Sequence, residues 1–382
     1  MKAVFPKLLV ALTGILYPVC IFCQQPTPSP TPDESIKINT EEVRLNVMAQ
    51  NAYGRFVSTL KPDDLLVVEE GTPQTITSMR RLPANVLLVL DTGGDLNLVK
   101  STELTRLTAK IAVNNLARED SVSVIQVGDK VETLADWSSN REAVFAGLDK
   151  KLFGSKRVRL ADGLKAAVDL FASKPLENRH IVLISDGLDT VATEAALRQS
   201  MDDLQAANIT IHVISYTGLE SAAARKSGKV VRMGKGDTKP RISQDRFEEM
   251  LMGMPVPPDP KLAAKAREFL RTMNSSQRLL TVELDRPRIA NMQNKQKIEN
   301  ESETKLQTAA DDSGGMFQAP EEAETMFTFA ADVARAIDSQ YVITYNPTVP
   351  IDPSHPPIRK VRVSSHCDGV TIRSRQKLVV RK

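Results

Sequence analysis

The stretch Asn85-Val-Leu-Leu-Val-Leu-Asp91-Thr-Gly-Gly-Asp95 limits what this chain can fold into more than any other. Five consecutive apolar residues, 86–90, read as a strand buried on both faces, the pattern found in the middle of a parallel sheet. The run stops at a carboxylate. Gly93 and Gly94 then let the backbone turn sharply, and Asp95 closes the turn before a helix. Asp91 is therefore expected at the carboxyl end of a central strand, where open α/β sheets place their ligands.

Downstream the pattern alternates between strand and helix, the signature of βαβ units. Leu98, Leu104, Leu107, Ile111, Ala112 and Leu116 lie at helical spacing over 98–116. Strands are expected at 122–127 and 131–137, joined as a hairpin across Gly128-Asp129-Lys130, then at 181–186 and 209–215, with helices at 160–171 and 194–207. The alternation breaks over 219–305, a proline-containing, basic insertion expected to be partly flexible, with a helical piece at 260–273. It resumes with 306–317, an amphipathic helix at 321–339 and a last buried strand at 341–345.

Short alternating runs with turn signals at 36–82, such as 43–47 and 65–68, form a small β module. The strands expected at 358–362, 370–373 and 377–380 within 348–382 are suited to complete it and would bring the two ends of the chain together. The expected fold is thus α/β: a doubly wound, mostly parallel sheet over 83–347, with a small β module formed by N- and C-terminal segments.

Lys2 and Lys7 precede an apolar run at 8–22, which reads as a signal peptide over 1–23 and is too short to span a membrane comfortably. A proline-rich linker follows at 24–35. Export to the periplasm or medium is expected, with an uncleaved anchor or lipidation at Cys23 as the alternatives. Losing the leader removes two lysines from 50 basic residues set against 47 acidic ones, so no global field draws the chain to nucleic acid or membrane. Only Cys367 remains then, which excludes an internal disulfide framework. Aromatic residues are 4% of the chain, too sparse for a base-stacking surface.

No nucleophile elbow, phosphate loop or paired-histidine zinc motif occurs. The histidines, His180, His212, His355 and His366, stand singly and read as core or edge residues, and Ser185 and Asp186 would face opposite ways in a strand. A non-enzymatic role is expected. Arg225, Lys226, Lys229 and Arg232 in the insertion suggest a solvated loop, with contact to an anionic surface as the sharper alternative.

Asp91 after a buried strand, Ile184-Ser-Asp-Gly187 ending a later one, and Ala309-Ala-Asp-Asp-Ser-Gly-Gly315 before the last helix resemble a von Willebrand factor type A (VWA) domain. Gly54-Arg-Phe-Val57, Val67-Val-Glu-Glu-Gly71 and Gln340-Tyr-Val-Ile-Thr-Tyr345 narrow the resemblance to the bacterial secreted subgroup called acidobacterial VWFA-related. It covers roughly 43–380 apart from the insertion. The resemblance implies a divalent-cation site of the form Asp-x-Ser-x-Ser, with a threonine from a second loop and an aspartate from a third, completed by a partner's carboxylate.

Carried onto this sequence, the two aspartates of that site fall on Asp91 and Asp186. Gly93 and Asp95 occupy the serine positions, and Val158 the threonine position. Two outcomes stand open. Asp91, Asp95 and Asp186 could hold Mg²⁺ or Ca²⁺ through three carboxylates, or the site is an inactive remnant whose aspartates bond loop amides or pair with Lys156 or Arg157. The remnant is favoured, because three of five ligand positions are changed, so the expectation is no cofactor. Thr92, Gly93, Gly94, Val158 and Gly187 line the face where another protein would be met. The function implied is protein binding or adhesion with weak or no metal dependence, the alternatives being a metal-free structural or assembly subunit and a binder of anionic surfaces. No nucleic acid and no stable membrane insertion beyond the signal segment are expected.

Overall fold

Three sheets organise the computed structural model, which describes residues 42–94, 100–228, 259–275, 286–349 and 358–379. The segments expected as leader and linker, and Asp95, Leu98, Lys229, Arg232 and His355, lie outside the described residues, as do the side chains of Arg225 and Lys226. Everything described falls within one unit, Thr40–Lys382.

The central strand is β5, Asn85–Asp91, and all but its first residue are buried. Beside it run β6 (Ser121–Val127) and β8 (Arg179–Ile184), both parallel to it. The sheet continues outward to β9 (Ile209–Ile214) and the short β10 (Phe317–Gln318) on one side, and to antiparallel β7 (Val131–Ser138) on the other, giving the order β10-β9-β8-β5-β6-β7.

Helices cover both faces. Val86, Leu88 and Leu90 pack with α1 (Thr102–Asn115), α6 (Pro260–Ser275) and α8 (Ala323–Ser339). Leu87 and Val89 pack with α3 (Leu160–Phe171) and, further out, with Leu204 of α4 (Glu194–Ala206) and Leu306 of α7 (Arg286–Ser313). This two-sided burial is why the strand reads as an unbroken apolar run. The chain leaves β5 for β6 on one side and returns to β8 on the other, so the switch point lies between the carboxyl ends of β5 and β8.

The small module pairs segments from both ends of the chain. β1 (Val43–Asn51) is antiparallel to β13 (Val370–Ser374), and β2 (Leu65–Glu69) to β12 (Ile358–Ser365). Their sheets, β13-β1-β11-β4 and β14-β12-β2-β3, close over Leu45, Val47, Val67, Val361 and Val363. Here β3 is Thr72–Gln74, β4 Ile76–Arg80, β11 Tyr341–Tyr345 and β14 Lys377–Val379.

The structure corrects two expectations. β11 is buried but pairs with β1 and β4 instead of closing the α/β sheet, whose sixth strand is β10. An apolar run fits the middle of either sheet, and periodicity cannot choose between them. The insertion also does not end at residue 305: α7 runs without a break into Ser313, so part of it is a structural layer of the domain. The module is fastened by the buried Arg375, which donates to the carbonyls of Gln205 at the end of α4 and of Ile209, the latter at 3.0 Å. No described helix is long and apolar enough to cross a membrane.

Candidate functional site

Asp91 and Asp186 meet at the switch point, and a lysine lies between them. Lys100 Nζ is 2.9 Å from Asp91 Oδ2 and 2.7 Å from Asp186 Oδ2. Lys100 is only 2% exposed and Asp91 is fully buried. The local chain explains the placement. Ser101 is extended and caps α1, its Oγ accepting from the Leu104 amide at 3.1 Å. The helix therefore begins at Thr102 and not near residue 98, and Lys100 sits just outside it, free to turn back over the sheet edge.

Every oxygen of the two carboxylates has a donor. Asp91 Oδ1 accepts from the Gly93 amide at 3.1 Å, and its Oδ2 accepts from Lys100 and from Ser185 Oγ at 2.8 Å. Asp186 Oδ1 accepts from the Leu188 amide at 3.0 Å and Oδ2 from Lys100. Ser185 and Asp186, expected to face apart, thus converge on one centre because the strand ends at Ile184 and the chain is already turning. The Tyr216 ring lies 5.8 Å from Lys100 Nζ, within reach of a cation–π contact.

Electrostatics follow from one ammonium shared by two anions. Burial pushes the Asp91 carboxyl up to about 6; Lys100 offsets part of this, and the charge of Asp186 adds to it. Burial disfavours the charged form of Lys100, yet the attraction of both carboxylates outweighs it and holds the amine above the ordinary lysine range. The lysine is charged at neutral pH. Lys156 and Arg157 do not supply the cation: Lys156 is exposed, and Arg157 reaches Asp129 at 3.2 Å.

The remaining ligand positions fit a divalent cation poorly. A side chain at Gly93 would overlap the carbonyl oxygen of Arg157, so the loop has closed where a hydroxyl would be needed. Val158 offers no oxygen and is packed in the core. Among the described residues no three His, Cys, Asp or Glu side chains form a metal-ligand group. Among the described residues, those at the ligand positions do not fit the family's cation; Asp95 lies outside them.

The positions assigned to partner contact are also inward. Thr92, Gly93, Val158 and Gly187 are buried and Gly94 partly so. Helix α7 lies directly over the third loop, with Ser302 Oγ donating to the Asp186 carbonyl at 2.7 Å and Leu306 packed on Gly187. Glu303 of the same helix accepts from Thr217 Oγ1 at 2.7 Å. Thr217 opens α5 (Thr217–Gly228), which carries Arg225 and Lys226.

Sequence reasoning missed Lys100 and α7. A readable signal existed for the first: a lysine immediately before a Ser-Thr-Glu helix start, nine residues after Asp91.

Residues 86–188 match the family profile of the von Willebrand factor type A domain. With the sheet order above, the chain carries an α/β domain of VWA type. No curated protein matches it. Similar solved structures include the von Willebrand factor type A protein from Catenulispora acidiphila, at 14% identity and a TM-score of 0.33, covering 47% of this chain and 42% of that one. An aerotolerance-related membrane protein from Bacteroides fragilis is 13% identical with a TM-score of 0.36, covering 66% of this chain and 98% of that one. Proximal thread matrix protein 1 from the mussel byssus is 15% identical with a TM-score of 0.31, covering 36% and 39%. This chain therefore spans less than half the length of the first and third.

Proposed function

We propose that this chain is an exported, non-enzymatic protein-binding module of VWA type with weak or no metal dependence. The observation that carries this is the chemistry of the ligand edge. The groups gathered there, Asp91, Asp186, Ser185 and Lys100, satisfy one another with hydrogen bonds and charge. A nucleophile needs a base to activate it, and Ser185 Oγ instead donates to an aspartate that already accepts from the lysine. Such a centre holds loops in place and performs no turnover. VWA domains commonly serve protein interaction, which the family match over 86–188 brings to this reading. Lys2 and Lys7 ahead of the apolar run at 8–22 support export, and the near-balanced charge supports a protein partner over nucleic acid.

Affinity capture from the producing cell's envelope and medium tests the proposal, using the chain from residue 24 onward with Mg²⁺ and with EDTA. A saturable partner recovered equally in both is the expected result. Loss of the partner in EDTA contradicts metal independence. Absence of any saturable partner contradicts the binding role and favours the metal-free structural subunit.

A further inference from the structure

We propose that Lys100 is the resident cation of this domain: its ammonium stands between Asp91 and Asp186 in place of the divalent ion associated with the fold, so the chain closes its own ligand edge. This concerns the centre alone and holds whichever partner the module takes.

The geometry points to a position built for an ammonium. Lys100 Nζ makes two charge-assisted contacts, 2.9 and 2.7 Å long, to carboxylates from two different strand ends. The helix cap at Ser101 places Lys100 directly against the first turn of α1, so the amine is anchored next to a rigid element. The carboxylates are held in turn by the Gly93 and Leu188 amides and by Ser185 Oγ.

The surrounding loops have adapted to match. At the first serine position of the family pattern the backbone is packed so closely on Arg157 that only glycine fits, and at the threonine position Val158 is core. Those two neutral oxygen ligands are excluded, and the ammonium brings its own hydrogen-bond donors. With α7 bonded to the Asp186 carbonyl above, the edge is sealed to an incoming carboxylate. A buried salt-bridge centre of this kind ties β5, β8 and α1 to one point. Removing only its cation would leave two buried carboxylates facing each other.

Thermal unfolding of the wild type and two variants tests this. The wild-type melting temperature is expected to be the same in Mg²⁺, Mn²⁺, Ca²⁺ and EDTA. Lys100→Met is expected to melt far lower, and adding Asp91→Asn and Asp186→Asn to it is expected to restore most of the loss, because the stranded charges go with the lysine. A saturable rise of the wild-type melting temperature with any of the metals, or a Lys100→Met variant as stable as wild type, would overturn the proposal. Should Lys100→Met not fold, the triple variant decides: a folded, metal-insensitive triple supports the proposal, and a triple that stays unfolded overturns it.

Discussion

Two histidines in the sheet interior show how single residues set the acid response of this protein. His180 on β8 and His212 on β9 are fully buried, with His180 Nδ1 3.2 Å from His212 Nε2. The Met316 amide donates to His212 Nδ1 at 3.2 Å, so His212 carries its proton on Nε2 and gives it to His180 Nδ1. His180 then donates from Nε2 to Asn178 Oδ1 at 2.8 Å. The chain is complete only when both rings are neutral. Burial holds His212 down to about 3, and burial together with His212 holds His180 well below its usual value.

For such groups the unfolded chain binds the proton first, so stability falls as pH drops below the unfolded value near 6.5. Each histidine contributes a loss of about 1.4 kcal/mol per pH unit there. Asp91 and Asp120, both pushed up to about 6 mainly by burial, act oppositely: the stability they contribute is full below their unfolded value and is lost as pH rises through 6. Urea unfolding between pH 7 and 5 separates the two. His180→Phe with His212→Leu is expected to flatten the acid-side loss; an unchanged slope would contradict the neutral pair. The sequence marked both histidines as core or edge residues, and spacing alone gave no sign that they touch across neighbouring strands.

At the scale of elements, the informative part is helix α7 and the loop it covers. Gly187 has φ +75°, which favours glycine. It is also crowded, since an added Cβ would meet Ser302 Oγ and come within 2.7 Å of Leu306 Cδ1. Gly71 shares the left-handed backbone, at φ +81°, but has open space around it. Gly71→Ala is expected to cost about 1–2 kcal/mol from backbone alone. Gly187→Ala adds overpacking against α7, about 1–3 kcal/mol more. Chemical denaturation of both variants measures the difference, and equal costs would mean that α7 does not press on the loop.

Elements were legible where local pattern decides them. The β5 run, the β6–β7 hairpin and most of the alternation through β9 could be read directly, because burial on two faces leaves its mark on composition; the helix α2 (Arg141–Lys151), with only Val144, Gly147 and Leu148 buried, was not. The start of α1 and the sheet of β11 were not, because a cap and a choice of neighbour depend on tertiary context. The insertion hid the first part of a 28-residue helix: its described exposed positions between Asn294 and Thr308 are mostly polar or charged, which reads as solvated chain, and the buried Leu306 and Ala310 that anchor the helix fall beyond residue 305.

Across the whole molecule the ends fold back on the centre. β13 and β14 reach the α/β layer through Arg375, through Arg373 donating to the Gly315 carbonyl at 2.7 Å, and through Lys377 paired with Asp312 at 2.6 Å. The long α7 carries Asp311 and Asp312 at one end and Ser302 above the Asp186 loop nearer its middle. One continuous helix thus joins the small module to the ligand edge. The sequence suggested the pairing of the ends through complementary short strands, and it placed Asp91 and Asp186 together through the resemblance. It did not identify the cation between them, because a lysine in a turn has no periodicity to betray where its amine goes.

The most direct measurement is anomalous diffraction from crystals grown in millimolar Mn²⁺. With Lys100 as the resident cation, no anomalous peak is expected between Asp91 and Asp186, and continuous density for Lys100 reaches both carboxylates. A manganese peak coordinated by the two aspartates, with Lys100 displaced, would contradict it.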